Sequence, residues 1–182
     1  MVRSFIIAIL AVVLAASYFP ARAAEEAVVF VPAVPFEQFP ARELQIGTRV
    51  KAKIVRENEF AWTFRTRLRE AAKEAPNFGG HYVIAEWGCG IYCQSGALIS
   101  LKTGNIYPLP TSEWGTVYDV TSNLLVVNPV YGDEGEIPDW LSTKYFLWTG
   151  KDWRLMLEVF PQQPATVSLP DVAPLPAPTP AH

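Results

Sequence analysis

The chain has 182 residues, of which 50% are hydrophobic, and its 15 lysines and arginines face 18 aspartates and glutamates. This acidic balance argues against a nucleic-acid-binding protein, which is normally basic with clustered cations. The length and the hydrophobic content fit one folded domain with one core.

The first 23 residues have the three-part pattern of a secretory signal peptide. Arg3 supplies the positive charge, residues 5–16 form the apolar run, and Ala21-Arg22-Ala23 is a cleavage motif. The run is short of the about 20 residues that a membrane span needs; an uncleaved anchor is the alternative. We therefore expect a mature protein that begins near Ala24, has no further membrane span, and is periplasmic or secreted in a bacterium.

Two proline-containing segments flank a predicted globular domain of residues 42–160. Residues 24–41 contain three prolines and no periodicity, so we expect an extended segment outside the core. Residues 161–182 contain seven prolines, which predicts a disordered tail, with a docking peptide as the alternative.

The domain begins with one predicted strand and one predicted helix. Residues 48–55, TRVKAKIV, alternate between apolar and charged side chains, which is typical of a half-buried edge strand. Residues 58–75 have helical spacing, with Asn58 as the N-cap and Pro76 after the end. The predicted buried stripe of this helix consists of Phe60, Phe64, Leu68, Ala71, Ala72 and Ala75.

Strands follow one another after Gly79-Gly80, with no helix between them. GALISL and NIYPL form one predicted hairpin, and TKYFLWT and WRLMLEVF form another. The fold class predicted from this order is α+β, with one N-terminal helix packed on a five- to seven-stranded antiparallel meander sheet. A small β-barrel or a propeller-like fragment is the alternative.

The only two cysteines, Cys89 and Cys93, are separated by three residues in EWGCGIYCQSG. A thioredoxin-like redox centre would have C-x-x-C at the start of a helix, and a zinc site would need three or four ligands. The chain offers only His81 and His182 besides the cysteines, so no metal and no cofactor are expected. In an exported protein the spacing favours a disulfide that closes a small loop, and Gly88 and Gly90 supply the backbone freedom for it.

Several motifs together resemble a family of small exported bacterial proteins. They are NFGGHY at residues 77–82, WGCGIYCQ at 87–94 and KTGNIY at 102–107, followed by an LLVV strand and by KYFLW. The resemblance covers about residues 45–158 and implies a signal peptide, one domain and a cysteine pair. It carries over no catalytic residue. Ile91 and Tyr92 depart from the pattern, since family members more often have small or polar residues there.

The candidate binding residues lie mostly in the cysteine loop. They are Trp87, Ile91, Tyr92 and Gln94, together with His81 at the start of the preceding strand. Tyrosine is frequent in binding hot spots, and a closed loop loses little entropy on binding. The alternative is that the loop tip folds inward and only completes a turn. A second candidate patch is Trp62, Arg65 and Arg69 on the helix, which can also be a solvated face.

The function favoured by these features is a non-enzymatic, monomeric module that binds a protein or glycan of the cell envelope through the disulfide-closed loop. A hydrolase that uses His81 with a nearby acid is the alternative. A structural or folding-assistance role is the third hypothesis. No recognised catalytic motif is present, so the sequence assigns no catalytic residue.

Overall fold

The computed structural model describes residues 32–44, 47–130 and 137–161. The predicted signal peptide, residues 24–31 and the predicted tail from residue 162 onward lie outside the described residues. The helices are a 3₁₀ turn at Phe36–Gln38, α1 at Glu59–Thr63 and α2 at Arg65–Ala71. The strands are β1 Tyr82–Gly90, β2 Cys93–Ser100, β3 Ile106–Pro108, β4 Thr116–Tyr118, β5 Leu124–Val127, β6 Thr143–Trp148 and β7 Trp153–Val159.

The described chain is mostly antiparallel β structure, arranged as two meander sheets. The first has the order β1-β2-β3 and the second the order β4-β5-β6-β7. The two predicted hairpins are confirmed: Ile99 pairs with Ile106 in the first, and Trp148 pairs with Trp153 in the second.

The predicted fold class, one N-terminal helix on a single five- to seven-stranded sheet, is wrong. The strands divide between two open sheets, which also excludes a closed barrel for the described residues. Pro108 lies in β3 and Pro110 follows it, and proline has no N–H to donate to a further strand. The first sheet therefore ends at β3, and the chain continues into the second sheet.

The predicted edge strand at residues 48–55 is an extended segment without a strand partner. Its amides bond to the turn between β2 and β3, with Val50 N donating to Leu101 O and Lys53 N to Gly104 O, both at 2.8 Å. The predicted alternation of covered and exposed side chains is present, since Ala52 and Ile54 are half-buried and the neighbouring lysines are exposed. The segment crosses a turn instead of following a strand, so it cannot form a ladder.

The predicted helix is two short helices. Asn58 is the N-cap, as predicted, because its Oδ1 accepts a hydrogen bond from Ala61 N at 2.9 Å. Phe64 interrupts the helix with a ψ of 16°. The predicted apolar stripe from Phe60 to Ala72 packs on the first sheet, whereas Ala75 is exposed.

The two sheets pack face to face, and each outer face is covered. Ile84 and Leu98 of the first sheet meet Leu125 and Val127 of the second. The helices cover the outer face of the first sheet. The N-terminal segment covers that of the second, where Val34 is buried beside Leu124, Val126 and Tyr145. Residues 32–41 therefore contribute to the core, contrary to the expectation that they lie outside it.

Candidate functional site

The cysteine loop is the tip of the long β1–β2 hairpin. The register runs from Tyr82 opposite Ser100 to Gly90 opposite Cys93, which leaves Ile91 and Tyr92 as a two-residue loop. A disulfide joins Cys89 and Cys93, whose Cα atoms are 5.1 Å apart. This distance is ordinary for a disulfide, and the predicted covalent closure is confirmed.

The tip projects into solvent. Ile91 is 90% exposed and Tyr92 is 67% exposed, so the alternative in which they fold inward is wrong. Tyr92 has a φ of 51°, in the left-handed region that non-glycine residues rarely adopt. A conformation of this kind persists when its surroundings impose it, and here the surroundings are the hairpin register and the disulfide. The tip therefore consists of two exposed apolar side chains on a backbone whose conformation is restricted by the hairpin and the disulfide.

Gln94 lies next to the tip, and Trp87 does not. Gln94 is half-buried, and its backbone forms a bridge with Ser112 through hydrogen bonds of 2.7 and 3.0 Å. Trp87 is only 5% exposed and packs 4.5 Å from the ring of Phe64. The prediction that Trp87 belongs to the binding surface is corrected, because its side chain points to the helix side of β1.

His81 lies at the opposite end of β1 from the tip. The nine residues of β1 separate His81 from Ile91, and at ~3.3 Å per residue the two are roughly 30 Å apart. The ring centroids of His81 and Tyr82 lie 4.1 Å apart, with the two rings tilted. Partial burial lowers the pKa of His81, which favours the neutral imidazole. His81 therefore cannot share a ligand-contacting surface with Tyr92 in one small site.

The hydrolase alternative requires an acid next to His81. His81 lines a cavity of about 180 Å³ with Arg42, Glu43, Asn123 and Trp148. Glu43 forms an ion pair with Lys102, and His81 Nδ1 has no hydrogen-bond partner among the described residues. Within the described ranges, therefore, no carboxylate is hydrogen-bonded to His81 Nδ1 as a base and acid pair would require.

Of the second candidate patch, Trp62, Arg65 and Arg69, the structure brings only Trp62 and Arg65 into contact. The Trp62 ring lies between two guanidinium groups, Arg65 at 5.1 Å and Arg56 at 4.7 Å from its centroid. Arg65 also donates to Trp62 O at 3.0 Å. Arg69 does not join this stack; it lines a separate cleft beside residues 49–54. Two arginines thus cover the tryptophan, an arrangement that needs no ligand.

Glu86, the one acidic residue of β1, was not among the predicted site residues. It lies beside Thr116 and Tyr118 of the second sheet. Partial desolvation raises the pKa of the Glu86 carboxyl, although the residue is exposed at the sheet surface, and interaction with the Thr116 side chain opposes this shift. Its position two residues after Ile84, on the same face of the strand, is the signal that could have identified it.

Two further properties concern the described residues as a group. They contain no set of three or more histidine, cysteine, aspartate or glutamate side chains arranged to hold a metal ion. None of their helices has the length and the hydropathy of a membrane-spanning segment.

Replacing both cysteines with serine is expected to lower the free energy of unfolding by roughly 2 kcal/mol. The chain-entropy model assigns this value to a ring as short as Cys89 to Cys93. Urea denaturation of Cys89→Ser/Cys93→Ser and of the native protein measures the difference. Thiol titration of unreduced, denatured native protein should find no free cysteine. Two free thiols would contradict the disulfide.

The chain was compared with protein-family models, with curated proteins and with solved structures, and none of the three comparisons gave a match.

Proposed function

We propose that this protein is an exported, non-enzymatic binding module that inserts the Ile91–Tyr92 tip into a partner protein of the bacterial cell envelope. One observation supports the proposal above the others: an apolar pair is exposed at the tip of a disulfide-closed hairpin. An exposed apolar pair is unfavourable in water unless a partner covers it.

Binding through this tip has a favourable energetic basis. Full burial of one large apolar side chain in a partner contributes about 1.5–3 kcal/mol of favourable free energy to binding. The disulfide and the hairpin register limit the conformations of the free loop, so little loop entropy is lost on association. Tyr92 also carries a hydroxyl that can form a hydrogen bond within an apolar interface.

The chemistry of the tip favours a protein over a glycan as the partner. Ile91 is aliphatic and has no polar atom in its side chain, and it fits an apolar pocket. Glycan binding would require several polar side chains around the aromatic ring, and the two-residue tip supplies only the Tyr92 hydroxyl. The disulfide is consistent with an oxidising compartment, and the N-terminal pattern supports the periplasm or the exterior.

Tyr92→Ala is expected to reduce capture of the envelope partner by about tenfold or more, as for a central hot-spot residue. The immobilised full chain serves as bait for an envelope extract of the source bacterium, and bound proteins are quantified by mass spectrometry. Stability should change by less than about 0.5 kcal/mol, because the side chain is exposed.

Trp140→Ala is the matched control, since Trp140 is a large aromatic residue that is 60% exposed outside the hairpin. It should leave capture unchanged. Equal capture by native protein and Tyr92→Ala would refute the proposed role of the tip. A stability loss of several kcal/mol in Tyr92→Ala would identify the residue as structural. Retention by purified peptidoglycan, without any captured protein, would contradict the protein assignment.

A further inference from the structure

A cleft of about 740 Å³ lies between the extended segment at residues 49–54 and helix α2. This volume is within the usual range for small-molecule sites, about 300–1,000 Å³. Its lining combines aliphatic and charged side chains: Val50, Ala52, Ile54 and Ala72, with Arg49, Lys51, Arg69, Lys73 and Glu70. The cleft uses none of the residues of the hairpin tip.

Arg49 connects the two walls of the cleft. Its guanidinium Nη1 donates to Ala72 O, at the C-cap of α2, and to Glu74 O, just beyond the helix, both at 2.8 Å. The carbonyls at a helix C-terminus have no partner within the helix, and they attract a cation. The segment is also held from its other side, where Val50 N and Lys53 N bond to the β2–β3 turn. The cleft is therefore a defined feature between two anchored walls.

The charges of the cleft are strongly one-sided. Four cations and one carboxylate line it, on a chain whose net charge is −3. Glu70 already pairs with Lys73 at 2.7 Å. The side chains of Lys51 and Arg69 have no hydrogen bond or ion pair within the described part of the chain. The cleft thus offers unpaired cationic donors beside an aliphatic surface, and its one acid is occupied.

We propose that this cleft binds a free single-chain amphiphile with an anionic head group, such as a fatty acid. Lys51 and Arg69 would supply the positive charge for the head group, and the hydrocarbon chain would lie along the accessible parts of Val50, Ala52 and Ile54. A peptide fits less well, since its amides require acceptors as well as donors, and the charged side chains of this cleft leave only donors unpaired. Charge complementarity and the aliphatic lining both select the same class of ligand.

Titration calorimetry of the full chain with dodecanoate, below its critical micelle concentration, tests the proposal. One saturable site per chain is expected, with an affinity that falls as salt is added. Dodecyltrimethylammonium has the same chain and the opposite charge, and it should not bind. Lys51→Glu/Arg69→Glu should weaken dodecanoate binding about tenfold or more, because two attractions become repulsions.

Lys151→Glu/Arg154→Glu is the matched control, since it makes the same change of net charge at two exposed residues of the β6–β7 hairpin. It should bind dodecanoate like the native protein. Three results would overturn the proposal: no saturable binding up to roughly millimolar dodecanoate, equal binding of dodecyltrimethylammonium, or an equal loss in both double variants. Binding of a glutamate-rich peptide without binding of dodecanoate would assign the cleft to an acidic protein instead. None of these results bears on capture by the hairpin tip.

Discussion

Replacing Phe78 with alanine is expected to lower the free energy of unfolding by about 3–5 kcal/mol, the usual loss for a buried aromatic ring. Phe78 is fully buried in the cluster between the sheets. Its ring centroid lies 6.4 Å from those of Tyr82 and Tyr118 and 5.7 Å from that of Trp153. These neighbours come from both sheets, so the truncation would leave a cavity at their interface.

Urea denaturation measures this loss, and Phe160→Ala is its matched control. Phe160 is 37% exposed beyond the end of β7, so the same truncation should cost much less there. The m-value should be unchanged if both variants unfold in one transition. Equal losses at the two positions would contradict the assignment of Phe78 to the core between the sheets.

Leu68→Ala is expected to cost about 2–5 kcal/mol, the second-largest effect among these predictions. Leu68 is fully buried where α2 packs on the outer face of the first sheet, in the cluster with Trp87 and Ile99. The loss includes the transfer free energy of the removed methyl groups and the cavity that remains. Thermal and urea denaturation of the variant measure it.

Two substitutions control this experiment. Leu155→Ala removes the same atoms from a side chain that is 48% exposed, and it should cost far less. Arg65→Ala changes the opposite face of the helix and should cost under about 1 kcal/mol, because its ring contact and its hydrogen bond are exposed. If Arg65→Ala cost as much as Leu68→Ala, the assignment of the two helix faces would be wrong.

Local chemistry within the sequence was sufficient to predict several elements. Asn58 could be identified as an N-cap because capping depends on residues within one turn. The two hairpins follow from alternating runs joined by short turn sequences. The Cys89–Cys93 pair could be recognised because so short a spacing leaves few alternatives in an oxidising compartment. Each of these features depends on neighbours that are close in the chain.

The candidate site was predicted only in part for the same reason. Ile91 and Tyr92 were identified from their place in the loop, but the sequence could not determine whether they point outward. Trp87 was assigned to the binding surface because it adjoins the loop, whereas its burial depends on Phe60 and Phe64, more than twenty residues earlier. The cationic cleft combines Lys51 with Arg69, and no local pattern relates these two residues.

The sequence by itself therefore determined the helix cap, the hairpins and the position of the disulfide loop, all of which depend on short-range interactions. Only the tertiary structure decided that the strands form two sheets, that residues 48–55 cross a turn, and that Val34 is buried. Alternation along a segment records which side chains are covered, but it does not specify which partner covers them. That choice depends on long-range packing, where Leu125 and Val127 of one sheet meet Ile84 and Leu98 of the other.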